Sequence, residues 1–317
     1  MDLSIIIVNW KSAMFLQSCL WSLYRQKPDI LFEVIVVDND SGDGCREMLA
    51  RDFPFVRYLQ NPVNLGFANA NNLGFTHSQG SVLLFLNPDT EIIGNAIFHL
   101  YATLTGTTVF GAIGGKLLNS DKSLQTSCIL PFPTILNQVL DADYLKKKFP
   151  SWNLWQSRPL SDNPAAPSEV EAVSGACLMV KRFVFDYIGR FSDNYFMYSE
   201  DVDLCYKIRR AGWKVVYSSG AQIIHHGGKS SLQSKEQSFG TVMMRESIFI
   251  FLKKYHSTLY AAAYRCAMAL ASALRLVLLC AAIPVTGSVP VRKWIKVLRW
   301  SLGLEPWATQ LQHKAAA

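Results

Sequence analysis

The chain has 317 residues, half of them hydrophobic and only 17% charged, so a large core can form and an intrinsically disordered chain is excluded. The formal net charge of +7 suits an anionic partner, and nucleotide phosphates, anionic lipids and nucleic acid meet that description equally. The seven cysteines form no Cys-x-x-Cys pair, which argues against a disulfide framework or a zinc site and favours a reducing compartment.

The N-terminus predicts no signal peptide, because Met1-Asp2 is acidic and the apolar run from Ile5 to Val8 is short. We therefore expect the catalytic part to stay in the cytosol. Leu3 to Val8 and Val34 to Val37 are β-branched runs with a helical pattern, Met14 to Arg25, between them. This order predicts a parallel strand–helix–strand unit.

Two further strands are predicted at Val56 to Leu59 and Val82 to Leu86, joined by a polar loop and helix from Asn64 to Ser78. The first hundred or so residues therefore predict a doubly wound, mostly parallel α/β sheet flanked by helices. Polar clusters follow three strands, at Asp38-Asn39-Asp40-Ser41, Asn61 to Asn72 and Asn87-Pro88-Asp89. Because ligands of such sheets bind at the carboxyl ends of the strands, this placement predicts a binding site there.

The pattern weakens from Asn119 to Ser168, where prolines are frequent, and we expect a long insertion that covers a substrate. Order returns with a strand from Val170 to Val180, a helix from Asp203 to Ala211 and a strand from Lys214 to Tyr217. A turn is predicted at His225-His226-Gly227-Gly228.

The C-terminal part is predicted to be helical. Glu246 to Tyr255 is amphipathic, and Cys266 to Val285 has the length and apolar character of a membrane span, interrupted by Arg275. Basic residues flank the apolar segment, which favours an anionic membrane surface. A helix crossing the membrane, a helix lying in its interface, and a helix buried in the protein or at a dimer contact are the alternatives.

Four local patterns carry candidate chemistry, and each has a structural alternative. Asp38 can accept hydrogen bonds from a ribose or a base, or belong to a turn. Asp89 can hold Mg²⁺ or Mn²⁺, or cap a helix after Thr90. The Glu200-Asp201 pair can supply a catalytic base, or stabilise a helix N-terminus. His225 and His226, before Gly227-Gly228-Lys229-Ser230, can complete a metal site or be structural.

Taken together in chain order, the predicted motifs resemble those of bacterial family 2 glycosyltransferases of the A-type fold, in particular the rhamnosyltransferase-like branch. The resemblance is carried by Ser4 to Asn9, Val36 to Ser41, Asn64 to Ala68 with Asn71-Asn72, Leu86 to Asp89, Gly175 to Met179, Phe196 to Asp203 with Arg210 to Trp213, and His225 to Ser230. Each motif is weak alone, and their joint order over roughly 230 residues is the signal.

The resemblance implies a nucleotide-sugar site and a catalytic pair. The residues implied to frame the nucleotide sugar are Val8, Asn9, Asp38, Asn39, Asn64, Gly66, Ala68, Asn71, Asn87 and Asp89. Asp89 and His225 are implied as ligands of Mg²⁺ or Mn²⁺, although Asn-Pro-Asp lacks one carboxylate of the family's Asp-x-Asp motif. Asp201, paired with Glu200, is implied as the base of an inverting single displacement.

The resemblance also implies the setting of the reaction. The expected donor is thymidine-diphosphate rhamnose and the expected acceptor a polyprenyl-diphosphate-linked saccharide, in cell-surface polysaccharide synthesis such as lipopolysaccharide O-antigen. The expected location is the cytoplasmic face of the plasma membrane. The expected domains are a catalytic domain over residues 1–240, with a nucleotide-binding half at 1–118 and an acceptor half at 119–240, and a membrane-associated helical region over 241–317.

Two rival functions remain open at this point. A nucleotidyltransferase would favour a glycine-rich phosphate loop near the N-terminus, and Val8-Asn9-Trp10-Lys11-Ser12 has no glycine. A catalytically lapsed nucleotide-sugar-binding protein would not need Asp89, Asp201 and His225. No nucleic-acid partner is expected, because the basic residues gather around an apolar tail. A homodimer through that tail is also open.

Overall fold

The structure is a computed structural model that describes residues 1–26, 30–140, 166–227, 237–286 and 289–316. These residues divide into two compact units. The first unit holds the described residues of 1–132, 160–193 and 200–233, and the second holds those of 133–159, 194–199 and 234–317.

The described residues of the first unit form a nine-stranded sheet and a small two-stranded one. The strands are β1 Leu3–Asn9, β2 Phe32–Asn39, β3 Arg57–Asn61, β4 Val82–Leu86, β5 Thr90–Ile93, β6 Phe110–Leu118, β7 Ile129–Leu130, β8 Ser168–Glu169, β9 Ala172–Val173, β10 Cys177–Lys181 and β11 Lys214–His225. The large sheet has the order β3-β2-β1-β4-β10-β6-β11-β5 with β8 on β11, and β7 pairs with β9.

The predicted α/β class is confirmed, and the first four strands are parallel as expected. Strand β10 runs antiparallel to both β4 and β6, and β5 runs antiparallel to β11, so the sheet is mixed. Strands β1 and β4 are buried along their whole length. Their near-continuous Ile, Val and Leu content is what a strand covered on both faces requires.

Helices cover the sheet of the first unit and make up most of the second. They are α1 Ala13–Arg25, α2 Cys45–Asp52, α3 Gly66–Thr76, α4 Ala96–Thr105, α5 Ile135–Val139, α6 Arg182–Tyr187, α7 Glu200–Arg210, α8 Gln237–Tyr255, α9 Thr258–Thr286, α10 Val289–Ser301 and α11 Pro306–Ala316, with a 3₁₀ turn at Thr126–Cys128. Helices α5 and α8 to α11 belong to the second unit. Within α9, Thr258–Leu279 has the length and hydropathy of a membrane-crossing helix.

Several sequence predictions differ from the structure. The strand predicted from Val170 to Val180 is wrong as a single element, because a turn at Ser174, in which the Cys177 N–H donates to the Ser174 carbonyl, separates β9 from β10. The predicted insertion from Asn119 to Ser168 holds a 3₁₀ turn, β7 and α5 in its described part. Residues 141–165 of that insertion lie outside the described residues.

Candidate active site

The candidate site lies at the carboxyl ends of β1, β2 and β4. The parallel register places Asn9 beside Asp38, and Asp89 follows β4, the strand on the other side of β1. Strand β11 brings a residue from far along the chain, because its antiparallel pairing with β5 sets His225 opposite Thr90. The polar clusters predicted at separate strand ends therefore meet at one edge of the sheet.

A cavity of about 320 Å³ opens beside the end of β2, with Asp38 and Tyr58 in its wall. The buried Asp38 carboxylate accepts hydrogen bonds from Asn9 Nδ2 at 3.0 Å and from the Tyr58 hydroxyl at 3.2 Å. Burial, and then the charge of Asp38, raises the pKa of Tyr58, so its hydroxyl stays protonated and donates. The cavity offers fixed acceptors of the kind that a ribose or a base requires.

The sequence interpretation missed Asp43 at the same cavity. Its carboxylate accepts from the Ala13 N–H at 2.9 Å and from Asn9 Nδ2 at 3.2 Å. Asp38, Asp43 and Cys45 each offer one possible ligand atom, and these three atoms lie within 4.8 Å of one another. Burial, followed by the charge of Asp38, raises the pKa of the Cys45 thiol, and a protonated thiol is a poor ligand for Mg²⁺ or Mn²⁺. This cluster suits hydrogen bonding better than metal binding.

Asn39 holds the loop that enters α3. Its amide nitrogen donates to Asn64 Oδ1 and to the Gly66 carbonyl, both at 3.0 Å, and its oxygen accepts from Asn61 Nδ2 at 2.8 Å. Gly66 begins α3 with a φ of 77°, a backbone conformation that favours glycine. Asn39 therefore positions this loop, because both amide hydrogens are already used.

The remaining nucleotide candidates are framework residues of the same edge. Val8, Ala68 and Asn71 are buried, and Asn71 Nδ2 donates to the Phe67 carbonyl one turn earlier in α3. Such residues support the strand and the helix on which the other candidates lie. Among the nucleotide candidates, Asp38 lines the cavity, and the buried Asn9 donates to it.

Asp89 and His225 face each other. Asp89 Oδ1 lies 3.3 Å from His225 Nε2, and the Asp89 side chain is only 4% exposed. The Asn87 amide nitrogen lies 3.3 Å from the same Nε2. The alternative that Asp89 caps a helix after Thr90 is wrong, because Thr90 begins strand β5.

Gln125 fixes the tautomer of His225. Its Nε2 donates to Asn119 Oδ1 at 3.1 Å and to the His225 carbonyl at 3.3 Å. The amide oxygen therefore faces His225 Nδ1 at 2.7 Å, and this nitrogen carries the proton. In the neutral ring, Nε2 then directs its lone pair towards the Asp89 carboxylate.

This arrangement fits a divalent cation. Two ligands at about 2.1 Å from Mg²⁺ and at a right angle lie about 3.0 Å apart, close to the observed 3.3 Å between Asp89 Oδ1 and His225 Nε2. Two acceptors facing each other repel unless a positive charge lies between them. A metal-ligating histidine with its other nitrogen held by an oxygen acceptor is the usual arrangement in proteins.

His226 has a structural role. Its Nε2 lies 2.8 Å from Glu91 Oε1 and its Nδ1 lies 2.8 Å from Ser120 Oγ, so both ring nitrogens are engaged. Of the two rings, that of His225 faces Asp89, and this favours His225 over His226 as a metal ligand. Gly228, Lys229 and Ser230 lie outside the described residues.

Asp201 and Glu200 begin helix α7 and differ in their partners. Asp201 Oδ2 accepts from the Gly175 N–H and Oδ1 from the Val202 N–H, both at 2.8 Å. Glu200 is buried, and among the described residues its Oε2 has no hydrogen-bond partner. Burial raises the pKa of both, that of Glu200 well above its usual range with a further contribution from the charge of Asp201.

The two carboxyl groups therefore have different pKa values, with that of Glu200 the higher. The N–H donors hold the pKa of Asp201 below what burial alone would give, while Glu200 retains its proton to higher pH. These contacts favour Asp201 over Glu200 as the ionised member of the pair, and a general base must be ionised.

The turn at Gly175 links Asp201 to the other candidates. The Asn87 N–H donates to the Ala176 carbonyl at 3.0 Å, and the N–H of the neighbouring Gly175 donates to Asp201. Asn87 in turn approaches His225. The break between β9 and β10 is what directs the Gly175 N–H away from the sheet ladder.

Comparisons with known proteins find glycosyltransferases. The family description "Glycosyl transferase family 2" matches residues 4–159. The chain is 29% identical over 269 residues to the N-acetylglucosaminyl-diphospho-decaprenol L-rhamnosyltransferase of Mycobacterium tuberculosis, covering 80% of this chain and 84% of that protein. It is also 29% identical over 229 residues to the low-salt glycan biosynthesis hexosyltransferase Agl10 of Haloferax volcanii, covering 71% and 67%.

A solved structure shares the fold. The mannosyltransferase PcManGT from Pyrobaculum calidifontis, in complex with GDP-mannose and Mn²⁺, has a TM-score of 0.57 and 17% identity, covering 99% of this chain and 86% of that one. With the family match, the rhamnosyltransferase relative and the strand-end site, the resemblance seen in the sequence is confirmed. The match to glycosyltransferase family 2 covers residues 4–159, and the chain is a rhamnosyltransferase-like glycosyltransferase of the A-type fold.

Proposed function

We propose that this enzyme transfers rhamnose from thymidine-diphosphate rhamnose to a polyprenyl-diphosphate-linked saccharide, with inversion at the anomeric carbon. The observation that carries the reaction type is the Asp201 carboxylate, held by the N–H groups of Gly175 and Val202 and joined through the Gly175 turn to the Asp89–His225 pair. The donor and acceptor are supported by the relatives, among them the decaprenol-linked rhamnosyltransferase and the rhamnosyltransferase WbbL of Escherichia coli.

In this proposal Asp201 takes the proton from the acceptor hydroxyl. The hydroxyl oxygen forms a bond to the anomeric carbon while the bond from that carbon to the diphosphate oxygen breaks, and the electron pair leaves with the nucleoside diphosphate. A single displacement from the opposite face inverts the configuration, with positive charge developing on the sugar ring.

Asp38 and Tyr58 hold the nucleoside by hydrogen bonds at the β2 cavity, and the buried Asn9 amide orients the Asp38 carboxylate. Asp89 and His225 would hold Mg²⁺ or Mn²⁺, with Asn87 beside them. When bound, this cation would supply charge stabilisation for the departing diphosphate. The structural relative with Mn²⁺ supports the presence of a cation, and the facing acceptors of Asp89 and His225 support its place.

The catalytic domain in this proposal covers residues 1–240 and the membrane-associated region covers 241–317. A lipid-linked acceptor calls for an enzyme at the cytoplasmic face of the plasma membrane, where such a region would concentrate it. Acceptor choice is assigned to the half from residue 119 to 240.

The test is transfer to a synthetic short-chain polyprenyl-diphosphate N-acetylglucosamine, with a panel of rhamnose, glucose, mannose and N-acetylglucosamine nucleotides offered separately. We expect product only with the rhamnose donor and with added Mg²⁺ or Mn²⁺. Proton NMR of the product is expected to show the anomeric configuration opposite to that of the donor. Product from another donor would replace the proposed sugar, and retained configuration would exclude the single displacement.

A further inference from the structure

Helix α9 exposes an apolar face along most of its length. Five large residues of this face are between 62% and 81% exposed: Leu259, Leu270, Leu274, Val277 and Leu278. The residues exposed between them are Ala262, Ala263, Cys266 and Ala273, so no charged side chain interrupts the face from 259 to 278. Spacings of three and four residues place all nine on one side, over about 30 Å.

The opposite face of α9 carries the polar and charged residues and packs inside the second unit. Ala261, Tyr264, Met268 and Ser272 are buried there. In a helix on the surface of a soluble domain the apolar face is the buried one. Here the exposed face is the more apolar of the two, because both arginines and Ser272 lie on the other side, so the exposed face is suited to an apolar environment outside the chain.

Both arginines of α9 are engaged within the second unit. Arg265 Nη2 lies 3.0 Å from Glu246 Oε2 on α8. Arg275 Nη2 donates to the Val139 carbonyl at 2.7 Å, and its guanidinium lies 4.2 Å from the centre of the Trp294 ring on α10. If α9 crossed a membrane, these partners would have to enter hydrocarbon with it, which is unfavourable for charged and backbone polar groups.

The exposed charges of this unit are all positive among the side chains that the structure describes. Lys253, Lys254, Arg292, Lys293 and Arg299 are exposed, whereas the acidic residues, Glu246 and Glu305, are 2% and 6% exposed. A second copy of such a surface would be repelled by like charge, while an anionic lipid surface would attract it.

We propose that α9 lies in the plane of an anionic membrane surface, with its 259–278 apolar face inserted at the boundary of the hydrocarbon, and that it does not cross the bilayer. An interfacial helix buries one face in lipid and leaves the other in contact with polar groups. This is the arrangement that the two faces of α9 require.

The first test is flotation of the full chain with vesicles, without any nucleotide sugar, so that its outcome is separate from that of the transfer reaction. We expect binding to phosphatidylglycerol-containing vesicles and much weaker binding to phosphatidylcholine alone. The variant Leu270→Gln with Leu274→Gln is expected to lower the partition coefficient by about tenfold or more, because two apolar side chains leave the inserted face.

The matched control is Leu31→Gln with Val109→Gln, which changes two exposed apolar residues of the first unit. It is expected to bind vesicles within about twofold of the unsubstituted chain. All of the substituted positions are exposed, so circular dichroism should show unchanged folding. The proposal would be overturned if the α9 variant bound vesicles as strongly as the unsubstituted chain, or if the control variant lost as much binding as the α9 variant. It would also be overturned if light scattering showed a dimer that only the α9 substitutions dissociate.

The second test separates an in-plane helix from a crossing one. A chain tagged at both ends is expressed, inverted membrane vesicles are prepared, and protease is added outside. We expect both tags to be removed, because an in-plane α9 leaves the two ends on the same side. Removal of the N-terminal tag with protection of the C-terminal one would show that α9 crosses.

Discussion

At the scale of single residues, neighbouring side chains of the same type take different roles because their partners differ. Asp201 has two N–H donors and Glu200 Oε2 has none among the described residues. His226 has both ring nitrogens engaged, while His225 directs Nε2 towards Asp89. The sequence indicated both pairs, and only the three-dimensional contacts assign a role to each member.

The raised pKa of Asp201 leads to a pH prediction. Because burial raises the pKa of this carboxyl, its base form should be lost, as pH falls, at a higher pH than for an ordinary aspartate, whose pKa is about 3.9. We expect kcat/KM to fall on the acid side at that raised value, measured by nucleoside diphosphate release across pH. If Asp201 is the titrating base, the variant Glu200→Gln should show the same fall in kcat/KM at low pH. Loss of that fall in Glu200→Gln would assign the titration to Glu200.

Gln125 is predicted to position His225 for the cation. Gln125→Ala removes the acceptor at Nδ1, so the ring and its tautomer are no longer fixed, and we expect Mn²⁺ affinity in the presence of nucleoside diphosphate to fall about 10- to 100-fold. Electron paramagnetic resonance titration of free Mn²⁺ measures this. The matched control is Ser120→Ala, which affects His226 instead. Equal losses in both variants would indicate general loosening of the loop.

At the scale of elements, the placement of the site depends on how closely α3 packs on the sheet. A Cβ added at Gly74 would lie 2.5 Å from Ile6 Cγ2 and 3.2 Å from Val37 Cγ2. Glycine is therefore required by close approach of the helix to β1 and β2. Because Gly66 begins α3, this packing determines how far the Asn64–Gly66 loop lies from the carboxyl ends of the strands.

Gly74→Ala is predicted to lower the free energy of unfolding by about 1–3 kcal/mol, because overpacking displaces Ile6. The double variant with Ile6→Ala should lose less than the sum of the single variants, since the added methyl group occupies the vacated space. Urea denaturation followed by circular dichroism measures all three chains. Additive losses would show that the clash at Ile6 is not the cause.

Local strands and helices could be predicted from the sequence, whereas their long-range pairing could not. Val82–Leu86 is observed as predicted, and the helix predicted at Met14 to Arg25 begins one residue earlier. Strand β11 extends to His225, well beyond the predicted Tyr217. Its pairing with β5 joins residues that are about 130 positions apart in the sequence, and local periodicity cannot predict such a pairing.

The residues of the candidate site are likewise only partly predictable from the sequence. Asp38, Asp89, Asp201 and His225 were named from motifs, and the structure brings them to one sheet edge. The sequence does not indicate Gln125 and Tyr58 as site residues, because a glutamine in an irregular region and a tyrosine in a strand carry no local signal of function. Their roles come from contacts with His225 and Asp38 that only the fold creates.

At the scale of the whole molecule, the second unit is organised around a buried carboxylate. Glu246 accepts hydrogen bonds from Arg265, from Trp300 Nε1 at 2.6 Å and from Thr309 Oγ1 at 3.0 Å. These donors lie on α9, α10 and α11, so one residue of α8 links all four helices. The sequence placed Glu246 only in an amphipathic helix.

Glu246→Ala is predicted to destabilise the second unit by about 3–5 kcal/mol, because Arg265 would be left partly buried without its carboxylate. Urea denaturation followed by tryptophan fluorescence measures the loss. Arg51→Ala is the comparison, since its ion pair with Asp52 is on the surface of the first unit, and we expect a much smaller change. A similar small change for Glu246→Ala would contradict the structural role.

The central claim is that Asp201 is the base of a glycosyl transfer, and Asp201→Asn tests it most directly. Asparagine keeps the size and cannot accept the proton, so we predict that turnover at saturating donor and acceptor falls by about 10²- to 10⁴-fold, while nucleoside diphosphate affinity measured by calorimetry is unchanged. Transfer at the rate of the unsubstituted enzyme would contradict the claim and remove Asp201 from the mechanism.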